Sequence, residues 1–165
     1  MERGINYLME PQTVLVFDID GVLAPYEFGH HTHSVVDDGE WMELVRTGDP
    51  YGYIPPVKLI QRMIAAKGPQ QVYTCSVSNE EEYPGKQRFA HGRYGIPLDH
   101  IRFVDDKSQK IEVLRQIAAE RGLPEERVAL IEDTVKTLDA IARVSGFSTV
   151  HVSSLFAYDE EPVAQ

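Results

Sequence analysis

Five short runs of β-branched and aromatic residues, separated by helical patterns, constrain this chain more than any other feature of its sequence. They fall at 13–17 (TVLVF), 71–75 (QVYTC), 101–104 (IRFV), 127–131 (RVALI) and 148–152 (STVHV). Several are almost unbroken in apolar character, as strands covered on both faces are. Between them, 56–67 places Val57, Ile60 and Ile64 at helical spacing, with Pro56 at its start and Gly68-Pro69 at its stop. The pattern returns over 109–121 with Ile111, Leu114, Ile117 and Ala118, closed by Gly122, and over 135–145 with Leu138, Ile141 and Ala142, closed by Gly146. A weaker helix is expected over 85–94, stopping at Gly95. Strands alternating with helices of this length predict right-handed crossovers and an α/β fold, a doubly wound, mostly parallel five-stranded sheet. In that class the working residues collect outside the carboxyl ends of the strands.

At 165 residues and 42% hydrophobic content the chain is sized for one domain with one core. No apolar run reaches the roughly 20 residues of a membrane helix, and residues 1–12 carry no apolar core of the kind a secretory signal needs. The expectation is a soluble, cytoplasmic protein, to which the lone Cys75 adds a thiol suited to a reducing compartment. Sixteen Lys and Arg against 26 Asp and Glu give a net charge of -10, the wrong sign for bulk binding of nucleic acid. A phosphate-bearing ligand would have to be met by a local device, and a divalent cation among carboxylates is the obvious one. The tail from Ala157, with Asp159, Glu160 and Glu161, has the composition of a solvated end.

The strand ends carry the chemistry. The first run closes in Asp18-Ile19-Asp20-Gly21, two carboxylates directly after a buried strand, where unpaired charge is costly. Turn aspartates are the plain alternative. Thr74 stands at the end of the second run, with Ser76 and Ser78 as alternatives if that strand extends further. After the third run comes Lys107, at the start of a helix and in competition with Lys110, which could equally be a solvated helix residue. Glu132 and Asp133 follow the fourth, Glu132 as a supporting or merely exposed group. Together these residues describe a phosphate-and-magnesium site.

VLVFDIDGVL, VYTC, Lys107 and VALIEDT resemble, in order and spacing, the four motifs of the haloacid dehalogenase superfamily of phosphohydrolases, a likeness spanning about residues 13–152. The resemblance implies a Rossmann-like core. It also implies that Asp18 is the nucleophile that becomes an aspartyl-phosphate, and that Asp20 protonates the leaving oxygen and then helps deprotonate water. An acid at position 20 favours phosphoryl transfer over dehalogenation, because the dehalogenase branch lacks it. Thr74 would bond a phosphoryl oxygen, and Lys107 would neutralise the nucleophile and the phosphate. Asp133 would hold Mg2+ together with the Asp18 side chain and the Asp20 backbone carbonyl.

Residues 24–53 show weak periodicity over about 30 positions, a length that in a compact domain marks a lid or binding loop. It is too short for the large caps of many members of that superfamily. Capless relatives act on large substrates or borrow closure from a partner subunit, so a homo-oligomer belongs to the expectations. His30, His31 and His33 suggest zinc, but their spacing is not that of a closed site and no Cys accompanies them. Trp41, Tyr51 and Tyr53 are expected to pack the segment onto the body, with stacking on a base or sugar as the alternative. Lys86, Arg88 and Arg93 are expected to form a solvated basic face rather than to meet a distal phosphate. Cys75 lacks a placed base and is expected to be a small buried residue. Nicotinamide and P-loop nucleotide motifs are absent from the sequence. The expected activity is an Mg2+-dependent phosphatase acting on a phosphate monoester, the substrate being a phosphorylated small molecule, a nucleotide or a nucleic-acid end. A phosphotransferase sharing the intermediate, and a non-enzymatic binding module on the same fold, are the alternatives.

Overall fold

The computed structural model describes residues 5–25 and 37–158. At its centre lie five strands, β1 (Val14–Phe17), β2 (Val72–Val77), β3 (Ile101–Val104), β4 (Val128–Glu132) and β5 (Ser148–His151). They pair in the order β3-β2-β1-β4-β5, and every pairing is parallel. Among the described residues five α-helices complete the frame: α1 (Asp38–Thr47), α2 (Lys58–Lys67), α3 (Tyr83–Tyr94), α4 (Lys110–Arg121) and α5 (Val135–Val144). This is a Rossmann-like α/β architecture. Among the described residues no helix is long and apolar enough to cross a membrane.

The period-two alternation of the central strand assigns its neighbours to two layers. Leu15 and Phe17 pack with Ile60, Met63 and Ile64 of α2 and with Phe89, Ala90 and Tyr94 of α3. Val14 and Val16 pack on the other face with Val113, Leu114, Ile117 and Ala118 of α4 and with Leu138 and Ile141 of α5. All four residues of β1 are buried, which explains why its sequence is apolar throughout rather than alternating. The chain runs outward from β1 through β2 to β3, then returns to the other side of β1 as β4. That reversal opens a crevice at the carboxyl ends of β1 and β4, where a doubly wound sheet binds its ligands.

Three local features depart from expectation and bear on the site. β2 continues to Val77, because Ser76 and Val77 find ladder partners in Phe103 and Val104. Within 24–53, α1 forms with Asp37 as its cap, accepting a 2.8 Å hydrogen bond from the Glu40 amide, and buries Trp41. Before α4, a 3-10 turn over Lys107–Gln109 is closed at both ends, with Asp106 accepting from the Ser108 amide and the Gln109 side chain accepting from the Asp106 amide. His30, His31 and His33, and the acidic tail from Asp159, lie outside the described residues.

Candidate phosphate and metal site

Asp18 directly follows β1, its amide still donating to the Ile131 carbonyl at 3.0 Å. Strand alternation turns its side chain toward the α4 and α5 layer. There Lys110 Nζ stands 3.1 Å from Asp18 Oδ1 and 2.6 Å from Glu132 Oε2. Glu132 is the final residue of β4 and is fully buried. Its Oε1 accepts from the amides of Asp133 and Thr134, which ties the turn after β4 to the carboxylate.

Asp20 faces the opposite layer. Directly after Asp20 the backbone reverses through Gly21, whose φ of 78° suits glycine and strains any residue with a Cβ. Gly21 donates to the Ala24 carbonyl, and Ala24 donates back to Ile19. As a result the Asp20 carboxylate meets the α3 side: Lys86 Nζ is 3.0 Å from Oδ2, and the Tyr51 hydroxyl donates to Oδ1 at 2.6 Å. Asp18, Asp20, Val77, Lys107, Lys110, Asp133 and Thr134 line a cavity of about 160 Å3 between these two anchors.

The carboxylates here outnumber the cations that reach them, and the titration behaviour follows. Burial, opposed by Lys110 and reinforced by the charges of Glu132 and Asp20, pushes Asp18 up to about 8. Asp133 is pushed up to about 6 by its own burial and by Glu132. Burial also works against ionised Glu132, yet hydrogen bonding from Asp133 and the Lys110 charge outweigh it and hold that carboxyl at about 2. Lys110 loses solvation as well, but Asp18 and Glu132 more than compensate and keep its ammonium above the ordinary lysine value. One oxygen from each of Asp18, Glu132 and Asp133 lies within 4.8 Å of the others. An all-oxygen donor set that is short of positive charge fits a hard divalent cation.

Asp18, Asp20 and Asp133 therefore come together as the sequence suggests. The lysine differs. Lys110, the alternative to Lys107 in the sequence, is buried on Asp18, whereas Lys107 is exposed at the rim, its Nζ 2.5 Å from Thr134 Oγ1. The capped 3-10 turn explains the exchange, because it advances the chain by one turn before α4 begins and aims position 110 at the sheet. Thr74 also sits elsewhere. With β2 running to Val77 it lies beside Phe17 in mid-strand, facing away from the Asp18 carboxylate, and it does not line the cavity. Its buried hydroxyl has no hydrogen-bond partner among the described residues. Farther along, Ser76 Oγ accepts from Lys86 at 3.2 Å and Ser78 donates to the Asn79 carbonyl at 3.0 Å.

Lys86, expected on a solvated face, is instead fully buried. Both buried lysines carry a signal in the sequence: Lys110 is in helical phase with Leu114 and Ile117, and Lys86 with Phe89 and Ala90, so each belongs to its helix's inward stripe. Glu132 is buried rather than exposed. Arg88 pairs with Asp49 at the surface, and Arg93 donates to the Gly52 carbonyl. Trp41 and Tyr51 do pack the 37–55 region onto the body, edge to face at 5.6 Å, while Tyr53 is 69% exposed. Cys75 is buried and its thiol is pushed up to about 12, chiefly by burial, so it makes a poor nucleophile.

A wider cavity of about 530 Å3 between α4 and α5 shares Lys107 and Thr134 with the site, but none of Asp18, Asp20, Glu132 and Asp133 lines it. Compared with models of known families the chain matches none, and a search of curated proteins finds no relative.

Proposed function

We propose that this chain is a divalent-cation-dependent phosphatase of the haloacid dehalogenase type, hydrolysing phosphate monoesters through an aspartyl-phosphate. The observation that supports this most is the placing of Asp18 and Asp20 on opposite walls of one small cavity, each against its own buried lysine. A carboxylate that attacks phosphorus needs a cation beside it and a proton source across from it.

Asp18 Oδ forms the bond to phosphorus as the ester oxygen departs with its electron pair, and Asp20 gives that oxygen its proton. Asp20, now ionised, takes a proton from water, whose oxygen bonds to phosphorus and displaces the Asp18 carboxylate as inorganic phosphate leaves. Lys110, rather than Lys107, steadies the charge on Asp18 throughout, and Glu132 keeps Lys110 in place. Asp18 and Asp133, with Glu132 beside them, would hold the cation, for which Mg2+ suits the oxygen donors; when bound it supplies the positive charge that lets a phosphate dianion approach a carboxylate. Lys107, at the exposed rim, is placed to meet the outer part of a substrate. The cavity is smaller than the roughly 300–1,000 Å3 of ordinary ligand pockets, so it suits the phosphoryl group, with the remainder of a small phosphorylated molecule or nucleotide lying beyond the rim.

A panel of phosphate esters assayed with Mg2+, with chelator and beside Asp18→Asn tests the proposal. Turnover should need the metal and fall by at least about a thousandfold in the variant, the scale of losing a covalent nucleophile. Equal turnover by the two proteins would refute it.

A further inference from the structure

Two groups that take no part in the bond changes hold Asp20 from both sides. Lys86, 0% exposed, places Nζ 3.0 Å from Asp20 Oδ2, 3.2 Å from Ser76 Oγ and 2.9 Å from the Val77 carbonyl. The Tyr51 hydroxyl bonds the other oxygen, Oδ1, at 2.6 Å. A lysine wholly removed from water is retained only against countercharge, and Asp20 supplies it together with Glu82, whose Oε2 is 3.8 Å from Nζ. Glu82 is itself fixed, accepting from Trp41 Nε1 at 3.0 Å, and the Trp41 ring meets the Tyr51 ring edge to face. The clamp thus draws on α1, the turn before α2, α3 and the end of β2, and all four converge on a single carboxyl group.

We propose that Lys86 and Tyr51 are positioning residues for Asp20, fixing both of its oxygens so that the carboxyl group stays aimed across the cavity at the departing ester oxygen. The inference rests on the reading of Asp20 as the acid of the reaction. It also accounts for part of the 24–53 segment, since residues 38–51 brace the acid from behind. A carboxyl group free to rotate would spend little time within proton-transfer reach, and the cost would fall on those substrates that need the proton.

Two esters separate the possibilities. An alkyl phosphate has a poor leaving group and depends on protonation, while p-nitrophenyl phosphate releases a stabilised anion and depends on it little. Asp20→Asn should lose about 100-fold or more on the alkyl ester, the scale of general acid catalysis, and less than about fivefold on the aryl ester. Lys86→Met, which keeps the side-chain length, should follow the same pattern with about a tenfold loss on the alkyl ester, and the double variant should be no worse than Asp20→Asn alone. Tyr51→Phe keeps the ring contacts with Trp41 and Phe89 and tests the same point should Lys86→Met fail to fold. Equal losses on the two esters in folded variants, or losses that add to those of Asp20→Asn, would overturn the positioning role. If Asp20→Asn itself fails to discriminate between the esters, the acid role of Asp20 falls and the inference falls with it.

Discussion

Replacing Lys110 by Met removes one ammonium from between two buried carboxylates while keeping the side-chain length. Its Nζ lies 3.1 Å from Asp18 and 2.6 Å from Glu132, and no other lysine or arginine lies within ion-pair distance of either carboxylate among the described residues. Breaking a buried pair by deleting one partner costs about 3–5 kcal/mol, because the charge left behind is uncompensated. Against a total stability of about 5–15 kcal/mol that is a large fraction, and for a chain of this size it lowers the melting temperature by about 10 °C. The loss also has a sign in pH. Without Lys110 the Asp18 carboxyl, already raised by burial, loses the charge that opposes the rise, so the folded variant binds that proton more tightly than the unfolded chain and loses stability as pH rises above about 4. Thermal melts in chelator at pH 5.5 and pH 8 should therefore show the larger deficit at pH 8. Lys107→Met is the control: that side chain is exposed and bonded to Thr134, so its replacement should move stability by no more than about 0.5 kcal/mol. Equal melting temperatures for the two variants would refute the placing of the buried charge on Lys110.

In the wild type, Asp18 binds its proton more tightly folded than unfolded, with a folded value of about 8. Its contribution therefore weakens the metal-free protein as pH rises from about 4 to 8, and a cation that competes with that proton should raise the melting temperature more at pH 8 than at pH 6. A rise independent of pH would separate cation binding from Asp18. Cys75, buried and with its thiol pushed up to about 12, should resist thiol reagents in the native protein and react promptly in denaturant; rapid labelling of the native state would contradict its burial.

The sheet and its sequence of crossovers are legible because continuous apolar runs such as VLVF and VALI leave few alternatives to strands covered on both faces. The acidic half of the site is legible for a related reason, since carboxylates directly after such runs demand compensation. What escapes depends on where the elements end. Thr74 reads as the end of a strand that in fact runs on to Val77, because Ser76 and Val77 are claimed by β3 rather than by any local preference. Lys107 reads as the better lysine only while the Asp106 and Gln109 caps that define the turn are left out, although the phase of Lys110 with Leu114 and Ile117 marks it as inward. α1 escapes the reading of 24–53 as weakly periodic, although Trp41, Met42 and Val45 fall at helical spacing and Asp37 followed three residues on by Glu40 is a helix-start signature. The clamp on Asp20 by Tyr51 and Lys86 is tertiary in origin. It exists because the turn at Gly21 faces Asp20 toward α3, and no local pattern states that direction.

The central claim is that phosphorus becomes bonded to Asp18. Quenching the protein during turnover of a phosphate ester and reducing it with borohydride converts an acyl phosphate to an alcohol, so peptide mass spectrometry should find homoserine at position 18 and nowhere else. Steady turnover with position 18 recovered only as aspartate, or with the reduced residue at another carboxylate, would contradict the account.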